Sequence, residues 1–242
     1  MPADIIVYGL IAAGLVFWLR SILGTRHGEE RERPNPYVAK PAAVEKTGDS
    51  SAPLPEFGDT PQDRITDLAL HPTAVTSIDN KTAELGLLDI AKADKNFDIT
   101  RFLDAAQDAF VYVVEGFAQG DRETLEALLA PSVYAAFEGA IKEREERGET
   151  METEIQSIRK VQVLSARMEK RDAFVTIRFV ADEIGAVRDK DGKVLSGHAE
   201  RPSEMIDIWT FTRDVKSRDP RWLVAETRSD DPDDNELIPD TH

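Results

Sequence analysis

The sequence predicts an α+β domain, with helices first and then an antiparallel meander of about four strands. Two hydrophobic periods carry that reading. Apolar residues recur every three or four positions between residues 81 and 148, and at every second position in the segments after Gly148. A third observation, an apolar run at the amino terminus, adds an N-terminal transmembrane helix ahead of the domain.

That run, "ADIIVYGLIAAGLVFWLRSILG" from Ala3 to Gly24, holds only Asp4 and Arg20 as charges. Its uninterrupted stretch, Ile5 to Leu19, is fifteen residues long. Arg20 can snorkel, which extends the span through Leu23 towards the roughly 20 residues a bilayer needs. A cleaved signal peptide wants a basic start and a small-residue cleavage site, and neither is present, so residues 3–24 read as a retained anchor. No Lys or Arg precedes the span, whereas Arg20, Arg26, Arg31 and Arg33 end or follow it. That bias makes the protein single-pass with its carboxyl-terminal domain in the cytoplasm; a periplasmic domain is the alternative.

Residues 25–80 read as a disordered Pro-rich tether. Seven of the 13 prolines fall between Pro34 and Pro72, and large apolar residues recur there with no period. Ile65, Leu68 and Leu70 are the points such a segment would offer to a partner. The domain runs over 81–229. A loose helical pattern begins near Lys81, weakened by Gly86. Phe102, Ala106, Ala109, Phe110, Val113 and Phe117 define a helix over 100–118, ended by Gly120. Asp121 caps the next helix, with Leu125, Leu128 and Leu129 inward. Pro131 opens a third, which "KEREERG" closes as a solvated end at Gly148. Strands follow around Val161 and Val163, around Val175, Ile177 and Phe179, around Ile206 and Ile208, and at Leu223 and Ala225. Glu169 to Asp172 and Asp189 to Gly192 are read as turns. Residues 230–242 read as a disordered acidic tail.

The formal net charge of −16 repels phosphate backbones, so nucleic acid is not an expected partner. Without cysteine there is no thiol chemistry. Gly-rich phosphate loops, H-E-x-x-H and G-x-S-x-G are all missing, and the four histidines are far apart, so neither a cofactor nor a metal is expected. "DKDG" at 189–192 lacks the rest of a calcium loop and suits a hairpin turn better.

One stretch, "SEMIDIWTFTRD" at 203–214, raises a catalytic question. Asp207 shares a strand face with Met205, Trp209 and Phe211. A carboxylate in that apolar setting could work as an acid or base. The other reading is a cross-strand ion pair with Arg178, Arg213, Arg221 or Arg228, and the lack of a nearby catalytic partner favours it.

Two blocks carry a family resemblance: "NFDITRFLDAAQDAFVYVVEGFAQGDRETLEALLAPSVYAAFEGAI" at 96–141 and "SEMIDIWTFTRDVKSRDPRWLVAET" at 203–227. Their Phe-Asp start, aromatic helix, Gly-Asp break, Leu-Leu-x-Pro junction and paired tryptophan strands occur in order. The region resembles the Tim44-like domain family, and the anchor with its spacer is similar to alphaproteobacterial, membrane-anchored members. The resemblance implies an NTF2-like cone, a curved antiparallel four-stranded sheet around helices, with a large apolar pocket. It also implies a non-enzymatic scaffold at a bacterial inner membrane; the alternative is an NTF2-like enzyme using the Asp207 carboxylate in that apolar pocket. Such a scaffold binds a membrane or translocation-related protein, or phospholipid, in protein transport or membrane-protein assembly. The candidate contacts are Leu85, Leu87, Leu88, Phe97 and Phe102 on the helices entering the domain, with Phe110, Trp209 and Phe211. A short tether stands where mitochondrial members have a long charged region, so chaperone recruitment is not carried over.

Overall fold

The computed structural model describes residues 60–230 and 238–241. The expected anchor and residues 25–59 of the expected tether lie outside them. Among the described residues, no helix is long and apolar enough to cross a membrane.

Order begins earlier in the chain than composition predicts. Helix α1 (Pro61–Leu70) and strand β1 (Thr76–Ile78) both fall within the span assigned to a disordered tether. Thr60 caps α1: its side chain accepts from the Asp63 N–H, and the Asp63 carboxylate reaches back to the Thr60 backbone. This reciprocal box satisfies two orphan donors and starts the helix in a Pro-rich setting. Ile65 is fully buried in the core.

Four more helices follow: α2 (Lys81–Ala93), α3 (Ile99–Gln119), α4 (Arg122–Leu128) and α5 (Pro131–Glu146). Asp98 caps α3 by accepting from the N–H groups of Thr100 and Arg101 at 3.0 and 3.2 Å. Gly120 ends α3 at φ 71°, a left-handed turn that a residue with a Cβ resists. Asp121 then accepts from Thr124 N at 3.1 Å to start α4, as the sequence predicts.

The strands are β2 (Thr150–Glu169), β3 (Asp172–Arg188), β4 (Val194–Asp214) and β5 (Leu223–Ser229). They form one sheet in the order β1-β2-β3-β4-β5. The expected four antiparallel strands are present, but β1 adds a fifth, parallel to β2 through Thr76↔Val161 to Ile78↔Val163. The sheet is therefore mixed. Three register shifts interrupt the β2–β3 ladder, at 155/157, 158/160 and 163/165. Such bulges bend and twist long strands so that one face can follow packed helices. On β3, Ala173, Val175, Ile177, Phe179 and Ala181 are all fully buried on that face.

The expected disordered tail also needs correcting at its far end. Ile238 is buried in the core, the Thr241 N–H donates to Thr227 O at 2.8 Å, and the Thr227 hydroxyl donates to Pro239 O at 2.8 Å. This strap covers part of the outer edge of β5, where unpaired backbone groups would otherwise sit.

Candidate functional site

The aromatic residues form a connected series from closed core to open surface. At the deep end Phe110 of α3 stacks on Phe179 at 4.5 Å and meets Trp209 at 4.9 Å. Further out, Phe102 meets Phe211 edge-on at 5.9 Å. At the surface Trp222, on the β4–β5 connection, lies 4.7 Å from Phe102 and 5.9 Å from Phe97. The loop Val215–Arg221 brings Trp222 back across the start of α3.

Two adjoining chambers open around Trp222. One, of about 220 Å³, is apolar, walled by Phe102, Ala106, Ala109, Leu128, Phe211 and Trp222. Small side chains on α3 create the hollow, since Ala105, Ala106 and Ala109 stand where larger residues would fill it. The second, of about 550 Å³, shares Phe102, Ala105, Pro220 and Trp222 with the first. Its polar wall holds Arg101, Asp98, Arg213 and Arg218.

Charges around this groove are arranged unevenly. Arg213 donates to Asp94 at 2.8 Å, with both side chains mostly buried, tying β4 to the end of α2. Its Nε is buried without a hydrogen-bond partner among the described residues. Asp98 pairs with Arg64 of α1. Arg221 pairs with Asp219 at 2.7 Å, and hydrogen bonds from the Arg221 side chain and backbone hold the Asp219 carboxyl down to about 2. Arg101 and Arg218 are exposed and form no ion pair among the described residues.

The residues predicted as contacts therefore part company. Phe97, Phe102 and Phe211 come together at the groove. Leu87, Phe110 and Trp209 are fully buried in the closed core, because the faces that carry them pack helix on sheet. Leu85 is exposed and Leu88 half-buried on α2, and neither lines these chambers. Trp222, Leu128 and the arginines were not predicted as contacts. The second tryptophan of the paired-strand pattern was the available signal for Trp222.

Asp207 is only 4% exposed and accepts from the Trp209 indole N–H at 3.3 Å. It lines neither chamber. Three of the arginines expected to pair with it hold other carboxylates: Arg178 takes Asp230, Arg213 takes Asp94 and Arg221 takes Asp219. Among the described residues, no group of His, Asp and Glu could hold a metal ion.

Comparison with known proteins agrees with the resemblance. The model of the Tim44-like domain matches residues 83–229. The chain is 27% identical over 157 residues to a probable mitochondrial import inner membrane translocase subunit, tin-44, of Caenorhabditis elegans, covering 63% of this chain and 37% of that protein. It is 24% identical over 135 residues to the Homo sapiens mitochondrial import inner membrane translocase subunit TIM44, covering 55% and 30%. The chain thus spans about a third of the length of these two relatives. A crystal structure of the intermembrane space region of the chloroplast protein ARC6 superposes with a TM-score of 0.38 at 13% identity, over 53% of this chain and 94% of that one.

Proposed function

The chain belongs to the Tim44-like domain family, and from that membership we propose that it is a non-enzymatic scaffold of protein translocation or membrane-protein assembly. The two curated relatives are named as translocase subunits of an inner membrane, and the link to protein transport is what we carry over. Residues 3–24 anchor the protein in a bacterial inner membrane, and the domain works on the cytoplasmic face at the end of its tether. Confinement raises its effective concentration near a membrane-embedded partner without any new contact.

The observation that carries this reading is the open groove around Trp222, inside the span the family model matches. Aromatic walls with a polar rim are what a partner's apolar segment needs, and tryptophan and arginine are the residues that most often dominate such contacts. Asp207, closed in the core, supports no competing enzymatic reading.

Photo-crosslinking in living cells tests it. A photoreactive residue at Ala105 or Trp222 should attach a membrane or secretory protein, while one at Leu85, outside the groove, should not attach the same protein. Attachment of phospholipid alone at both groove positions would overturn the protein-scaffold reading.

A further inference from the structure

Resting on that scaffold reading, we infer that the groove's partner is an acidic linear segment that inserts one large apolar side chain beside Trp222. The apolar chamber, at about 220 Å³, is smaller than the roughly 300–1,000 Å³ of small-molecule pockets. It holds a single Phe or Leu side chain, and the adjoining chamber of about 550 Å³, walled by Asp98, Arg101, Arg213 and Arg218, suits the polar residues that flank such a side chain better than the acyl chains of a lipid. Next to it stand Arg101 and Arg218, exposed and in no ion pair among the described residues.

Those two arginines matter because carboxylates are abundant in this chain, with 46 Asp and Glu against 30 Lys and Arg. Arg64, Arg159, Arg171, Arg178 and Arg213 each hold a carboxylate. At the groove, guanidinium forks that match a carboxylate's two oxygens are left open to solvent. A basic segment would meet like charge there, and an acidic one would be paired. The net charge of −16 does not cancel this, because screening confines a bound segment to charges within about 8 Å. An anionic bilayer, in contrast, would face the acidic surface over a wide area.

The test uses the full chain in nanodiscs of neutral lipid and three labelled synthetic peptides, read by fluorescence anisotropy. One carries a single Phe among Asp and Glu, one the same Phe among Lys, and one Ala in place of Phe among Asp and Glu. Only the first should bind, and added salt should weaken it. Arg101→Glu with Arg218→Glu should raise its Kd by about tenfold or more, as should Trp222→Ala. Because Arg101 and Arg218 are exposed, the double variant should keep the wild-type melting temperature, so its loss of binding reads as a loss of charge. Equal binding of the Lys peptide, or of none, would overturn the inference. So would capture of phosphatidylglycerol vesicles that the same double variant abolishes. If the peptides fail while Ala105 still crosslinks a membrane protein, this inference falls and the scaffold reading stands.

Discussion

A Cβ placed on Gly86 would come within 1.9 Å of the carbonyl oxygen of Ala166, so α2 lies against β2 with no room for a methyl group. Gly86→Ala therefore sets a helix-propensity gain of up to about 1 kcal/mol against a backbone clash. We expect the clash to win and to cost about 2 kcal/mol net, lowering the melting temperature by roughly 4–8 °C in a thermal scan. Asp219 offers a second check. Its pKa is lowered from 3.8 to about 2, so whatever it contributes is complete above the unfolded value and is lost as pH falls through about 2. Carboxyl NMR should find it ionised at pH 3, and Arg221→Gln should raise its pKa only part of the way towards 3.8, because the residue 221 backbone N–H still donates to the carboxylate. Periodicity could place Phe102 and Phe211 because strand and helix faces follow from spacing alone. It could not reveal why Gly86 is glycine, since the crowding atom lies 80 positions away in the chain. Nor could it reveal the partner of Arg213, which is Asp94 on another element.

At the scale of elements, the end of α3 depends on a residue that looks solvated in sequence. Arg144, from the charged run "KEREERG", is buried: it donates to Phe117 O at 2.8 Å and Ala118 O at 3.0 Å, and lies 5.0 Å above the Phe117 ring. Burial pushes its guanidinium pKa down. Arg144→Ala would leave a helix-end carbonyl without its donor, and should cost about 2 kcal/mol in urea unfolding; Arg144→Lys should recover part of that. A run of charges reads as a solvated face because most such faces are, and only the packing of α5 on α3 singles out one member. Helix α1 was hidden differently. Its start, Thr60-Pro61-Gln62-Asp63, is a capping box, and Ile65 and Leu68 supply a short apolar stripe, both inside a stretch whose proline content reads as a tether. Because Ile65 is fully buried, Ile65→Ala should destabilise the whole domain by about 3 kcal/mol rather than release a tether, measurable as a single cooperative transition.

Across the whole molecule, the helices-then-strands order was legible because period alone separates the two classes. The fifth strand was not, since three residues carry too little pattern to declare themselves. The groove was half legible: Phe97, Phe102 and Phe211 were expected as contacts, but Trp222 was not, and the arginines come from α3, β4 and the β4–β5 loop, which only the fold brings together. Reporter fusions at the carboxyl end should show activity of a cytoplasmic reporter and silence of a periplasmic one; the reverse would place the domain outside. The route by which the chain reaches the domain has a mechanical consequence. Any pull transmitted from upstream of Thr60 is borne first by α1, through Gln62 on Ala91 O and Arg64 on Asp98. Asp98 also caps α3 and lines the polar chamber. Tension that drew Arg64 away would leave the Asp98 carboxylate held only by the N–H groups it caps, beside Arg101 and Arg218, so the same residue that bears load would also lower the groove's attraction for an acidic guest.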